Sequence, residues 1–258
     1  LVEGFFGVGA IVGPALVTWL LTRGVNWTYL YVIAGGLALA IMALASLCPY
    51  PQKIGPQQTG RQRISEGETR IDWLSSLRLV RDPHALWFSA AIALYVMAES
   101  AIYVWMPTLL LDYQGSAMGV ASYALSIFFI FRAAGRFLGA WLLAVVRWQI
   151  ALVWFSGAIL ACYLVSSALG VNAALWLLPL SGLFMSIIYP TLNSKGISGF
   201  RAEQQGAAAG LILFFTAVAA AVGPLTMGLI GDLFGHVSYG FLFATACTLP
   251  HSDVFNDA

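Results

Sequence analysis

Seven stretches of the chain run almost without polar interruption, at roughly 5–22, 28–47, 86–107, 119–143, 149–169, 173–192 and 207–230. Each supplies the ~20 residues of helix needed to cross a hydrocarbon layer ~30 Å thick. The pattern predicts seven membrane spans in an all-α polytopic bundle. An eighth apolar run starts near Val237 but meets Pro250 and the polar tail 251–258 after about a dozen residues, too few for a crossing. Polar positions concentrate instead in 48–84, where Pro49, Pro51, Pro56, Gly55, Gly60 and Gly67 sit among mixed charges. Such a stretch is a linker and not a folded domain. Its later part, Ile71 to Val80, fits a short interfacial helix.

Basic residues orient the spans, because positive connections stay in the cytoplasm. Lys53, Arg61, Arg63, Arg70, Arg78, Arg81, Arg147, Lys195 and Arg201 fall on one side and only Arg23 on the other. The long linker and the start of the chain are therefore expected to be cytoplasmic.

The 258 residues are 60% hydrophobic and 9% charged, where a soluble domain carries about 25% charged residues. This places the protein in a membrane, with lipid as its surroundings and the plasma or inner membrane as its expected address. A net charge of +1 gives no basic surface for nucleic acid. Cys48, Cys162 and Cys247 stand singly in apolar runs and read as packing residues. His84, His236 and His251 all lie away from mid-span, so no metal or haem ligands suggest themselves. Without HExxH, an intramembrane serine-protease motif or a phosphate loop, the chain offers no catalytic residues and no ATP site.

A repeat adds more. The skeleton Phe5, Val8, Ala10, Val12, Gly13-Pro14 and Tyr29 returns 210 residues later as Phe215, Val218, Ala220, Val222, Gly223-Pro224 and Tyr239. Eight of thirty aligned positions are identical, where roughly three would follow from composition. Counting the first copy itself, six spans precede the second, so both start from the same side of the bilayer. Two parallel six-span halves are an architecture of secondary transporters. Counting back from the linker leaves two spans before it and six after it. Equal halves would then put four further helices of the same protein ahead of Leu1. The expected organisation is 1–47 as the last two helices of the first half, 48–84 as linker, 85–250 as the second half and 251–258 as tail.

Three ionisable residues lie deep in spans: Glu99, Arg132 and Arg136. Each is costly there without a partner. At 1.5 Å rise per residue, Glu99 and Arg132 differ in depth by only about 5 Å on consecutive spans, so they are expected to pair directly or through water. Arg132 and Arg136, four residues apart, share a helix face and suggest a hydrated cavity, an anionic ligand or an acid between them. A carboxyl group that alternates between an arginine partner and apolar surroundings changes its hold on a proton. Tyr95 and Tyr103 stand four residues either side of Glu99 on the same face, and Trp105 further out is expected to anchor at the interface. Ser186, Tyr189, Pro190, Thr191 and Asn193 form a polar stripe broken by proline.

Small residues recur at helical spacing: Gly9 with Gly13, Gly135 with Gly139, and Gly206 to Gly210. In lipid this permits close helix contact. Pro14, Pro190 and Pro224 each free a backbone carbonyl one turn back, and with Gly13 and Gly223 they mark helices able to bend.

Gly9-xxx-Gly13-Pro14, Arg132-xx-Gly135-Arg136-xx-Gly139, Tyr189-Pro190-Thr191 and Gly223-Pro224 with Gly228-xx-Gly231-Asp232-xx-Gly235 together resemble the major facilitator superfamily. The resemblance covers nearly the whole chain as helices five to twelve. Glu99 followed by Trp105-Met106-Pro107 looks like its fucose/proton symporter-like sugar permeases. In this superfamily the seventh and tenth helices line a central cavity, which implies that Glu99, Tyr95, Tyr103, Ser186 and Tyr189 do so here. Two motifs depart from the pattern. Val17-Thr18 replace the paired glycines of the antiporter motif, and Ala144 to Trp148 lack the acid and paired bases of the gating motif.

The expectation is a solute transporter moving a sugar or related small molecule by rocking of two halves, coupled to H+ or Na+, with no other cofactor. The alternatives are export of an organic anion or drug, with Arg132 and Arg136 as the anion site, and a membrane scaffold or receptor on the same fold.

Overall fold

A computed structural model of the chain describes residues 2–26, 28–47, 79–111 and 113–248. The linker up to residue 78, all but the end of its expected interfacial helix, Pro250 and the tail 251–258 lie outside the described residues. By its internal contacts the chain forms two units, one made of Leu1–Ala15 with Trp73–Ala258 and the other of Leu16–Asp72.

The first two expected spans are helices α1, Val2–Thr22, and α2, Thr28–Leu47. Gly24, at φ 72°, turns the chain after α1 in a left-handed conformation that glycine adopts without strain. Asn26 Oδ1 then accepts from the Thr28 amide at 3.1 Å, an Asx turn leading into α2. None of the side chains of α2 is buried, and Tyr31, Ile41 and Leu47 are among those exposed. Lipid tolerates this, since apolar side chains gain little by leaving acyl chains for one another.

In the larger unit, Asp82 caps helix α3, Pro83–Ser100, by accepting from the amides of His84 and Ala85 at 2.9 and 3.2 Å. Pro83 takes the first position, where its missing N–H costs nothing. The helix widens into a π-helical turn, Ala101–Trp105, and closes as α4, Met106–Leu109. Next come α5, Met118–Ser122, α6, Ala124–Val145, and α7, Trp148–Leu169. The next span is divided into α8, Val171–Met185, and α9, Ile188–Ser198. Helix α10 is unbroken from Ala202 to Phe234 and stops at Gly235, φ 76°; α11, Ser238–Thr248, follows. Six of the helical segments among the described residues are long and apolar enough to span a membrane, and α11, at 11 residues, is not.

Two predicted straight helices are therefore interrupted, and each interruption has a proline beside it. Pro107 cannot donate to the carbonyl of Tyr103. The chain relaxes into the wider turn, with the Met106 amide bonded to the Ala101 carbonyl, five residues back. Pro190 likewise leaves the Ser186 carbonyl without its usual donor, next to the break at Ser186 and Ile187. Pro224, by contrast, sits inside a continuous helix.

Helix α3 packs against α10, α9 and α11, while α8 packs against both α6 and α7. The core runs through Ile92, Ile102, Phe128, Leu152, Leu175 and Ile188. Tight approach depends on particular glycines. A Cβ at Gly135 would collide with the Leu183 carbonyl, and one at Gly139 with the Ile187 side chain, which brings α6 onto α8 and the break. At Gly223 a Cβ would lie 3.1 Å from Met97 Cα and 2.9 Å from Ser100 Oγ, where α10 crosses α3. Gly9, Gly13, Gly206 and Gly210 differ from expectation: a Cβ at any of them meets no atom within 4 Å.

Candidate functional site

Glu99 lies in the last turn of α3, just before the widened turn, and is 6% exposed. Arg132, from α6, forms an ion pair with Glu99 between Nη1 and Oε1. The same Nη1 donates to the Tyr103 hydroxyl at 2.6 Å. One turn before Glu99, the Tyr95 hydroxyl stands 2.9 Å from Glu99 Oε1 and 2.9 Å from the carbonyl oxygen of Met185, the last residue of α8. The carboxylate and the Tyr95 hydroxyl together thus link α3 and α6 to the end of α8. Breaking such a buried pair from one side leaves an uncompensated charge, at a cost of about 3–5 kcal/mol.

The surroundings hold the pair in place. Tyr103 stacks on Phe129 at 5.8 Å and meets Phe128 edge-on at 5.9 Å. The Arg132 guanidinium lies 6.0 Å from the Phe128 ring. Arg132 Nε is buried with no hydrogen-bond partner among the described residues. From α7, Tyr163 donates to the Ala98 carbonyl at 2.8 Å, fixing the backbone beside Glu99.

The two arginines that the sequence sets on one face have different neighbours. Arg132 is committed to Glu99 and Tyr103. Arg136 lines a cavity of about 610 Å³ together with Ser186, Pro190, Thr191, Arg147 and Lys195. Ser186 Oγ donates to the Leu183 carbonyl at 2.8 Å. The expected polar stripe is split by the break: Ser186 falls within it, and Tyr189 and Asn193, both half-buried, follow on α9.

Other expectations change in detail. The widened turn carries Tyr103 to the carboxylate by way of Arg132, where a straight face would set it one turn above Glu99. Trp105 is more than an interfacial anchor, because its indole Nε1 donates to the Pro224 carbonyl at 3.1 Å and ties this span to α10. Sequence reasoning did not single out Tyr163 or the Met185 carbonyl. Pro107 was the available signal for the π turn, whereas an isolated tyrosine in an apolar run does not announce its acceptor.

The fold and this buried polar cluster define a multi-pass integral membrane protein of helices. A family profile described as Major Facilitator Superfamily matches residues 1–249, and the chain belongs to that family. It is similar to the L-fucose-proton symporter of Escherichia coli (strain K12), with 24% identity over 228 residues, covering 88% of this chain and 50% of that protein. The chain thus spans about half the length of this curated relative. Among solved structures, it resembles the transporter FucP in the outward conformation, with TM-score 0.64, 24% identity, and coverage of 88% of this chain and 53% of that one. It also resembles a structure of the E. coli fucose:proton symporter FucP, with TM-score 0.68, 22% identity, and coverage of 97% and 65%.

Proposed function

We propose that the protein transports a sugar or related polar organic solute by alternating access, with Glu99 as the proton-coupling group. The observation that carries this is the position of Glu99, a buried carboxylate held at once by Arg132 and Tyr95 across the spans of α3, α6 and α8. Protonating Glu99 removes the charge that holds Arg132. Nη1 and the already unsatisfied Nε then become donors for solute hydroxyls, so proton and solute binding favour one another. Tyr103, stacked on Phe129, offers an aromatic edge beside those donors. Similarity to a fucose-proton symporter supports the sugar and the proton as first choices.

Export of an organic anion through a site made of Arg132 and Arg136 fits less well. The first arginine is neutralised by Glu99, and only the second faces the cavity.

The test is uptake of L-fucose and other labelled monosaccharides into proteoliposomes bearing a complete transporter that contains this chain. An inward proton gradient should drive accumulation, a sodium gradient should not, and Glu99→Gln should abolish the gradient effect while leaving solute exchange. Full proton-driven accumulation by Glu99→Gln would remove Glu99 from coupling.

A further inference from the structure

We propose that the cavity between the α6–α7 connection and α9 is a phosphate-binding site, for a phospholipid headgroup or for free phosphate, distinct from the Glu99 cluster. Arg147 and Lys195 line it together with Arg136, and no acidic residue is among the described residues that do. Its volume of about 610 Å³ falls within the range of roughly 300–1,000 Å³ typical of small-molecule sites. The walls between the charges are apolar, with Leu143, Val146 and Ile187, while Thr191 and Ser194 add hydroxyls. Like charges converging on apolar walls repel one another, and an anion between them turns that repulsion into attraction.

Two further features favour an anion here. Arg147 occupies the N-cap position of α7 and, being a cation, gives no side-chain cap. The positive end of a 22-residue helix dipole is thus presented where Trp148 lines the cavity. Lys195 is poised, its Nζ 5.9 Å from the Trp148 ring centroid. Cation–π contact of this kind holds an ammonium group at the cavity edge without neutralising it. Arg147 lies between two spans and Lys195 in the last turn of α9. Both belong to the side that the basic-residue count assigns to the cytoplasm, the depth at which basic pockets between membrane helices take phosphate headgroups.

The test uses the purified 258-residue chain in dodecyl maltoside micelles, with dihexanoyl phosphatidic acid as probe and native mass spectrometry as readout. The unsubstituted chain should retain one phosphatidate and not retain dihexanoyl phosphatidylcholine. Arg147→Gln with Lys195→Gln should weaken retention about tenfold, as expected for loss of charge-assisted hydrogen bonds. Arg81→Gln with Arg201→Gln, removing equal charge from the same side of the membrane, should change it by less than about twofold. Displacement of the probe by inorganic phosphate assigns free phosphate as the ligand; retention in its presence assigns the lipid headgroup. The proposal is overturned if the first pair binds as the unsubstituted chain does, if the control pair loses as much, or if phosphatidylcholine is retained equally.

Discussion

The hydroxyl of Tyr95 is shared between Glu99 and Met185, 2.9 Å from each acceptor. It carries one proton, so the carboxylate on its own helix competes with the backbone of the neighbouring span. Tyr95→Phe keeps the ring packed and removes both contacts. The Met185 carbonyl loses its cross-helix donor, and a buried acceptor left short costs about 1–3 kcal/mol. A lower midpoint of thermal unfolding in detergent is expected, and an unchanged midpoint would show that the hydroxyl holds nothing.

Glu99 and Arg132 should prove strongly coupled. Either Glu99→Gln or Arg132→Gln alone leaves one buried group without its counter-charge and is expected to destabilise by about 3–5 kcal/mol. The double substitution restores neutrality and should cost less than the sum of the two. A double-mutant cycle on chemical unfolding in micelles measures this, and additive single effects would contradict the ion pair.

Two glycines that look alike in sequence should respond in opposite ways. Gly139→Val drives methyl groups into Ile187, an overpacking expected to cost about 1–3 kcal/mol. Gly206→Ala has open space around it, and the better helix former should stabilise by up to about 1 kcal/mol. Unfolding midpoints of the two variants, measured side by side, should move in opposite directions.

Trp105→Phe keeps an aromatic ring against Gly228 and removes the indole donor to the Pro224 carbonyl. The expected loss is about 1 kcal/mol, with faster hydrogen exchange in α10 around Pro224 than in the parent chain. Equal exchange in both would mean that the bond does not hold α10.

The spans were legible because runs of about 20 apolar residues have few other uses. The Glu99–Arg132 pairing was legible because two opposite charges at similar depth in lipid each need a partner. Interruptions within spans were harder to read. Pro14, Pro107, Pro190 and Pro224 all promise some disturbance, yet Pro14 and Pro224 sit inside continuous helices, Pro107 adjoins a π turn and Pro190 adjoins a break. The outcome depends on which neighbour offers a substitute hydrogen bond, and one chain read by itself does not reveal that. Gly135 and Gly139 have the same four-residue spacing as Gly9 with Gly13 and Gly206 with Gly210, but only the first pair faces a close neighbour. Tyr163 was silent for a related reason: a hydroxyl in an apolar run needs an acceptor, and the fold decides that it is Ala98.

The turn at Ala101–Trp105 is equivalent to a one-residue insertion absorbed into a helix. Removing a single residue there would let the backbone revert to ordinary α geometry with every inner contact of Glu99 retained. Because the wider turn already takes up the extra residue, the outer end, from Met106 onward, would keep nearly the same facing, whereas a deletion in plain α-helix turns everything beyond it by about 100°. Single-residue deletions within these five positions should therefore be better tolerated than deletions anywhere in Pro83–Ser100. This span contains a place where its length can change by one residue without displacing the carboxylate below it.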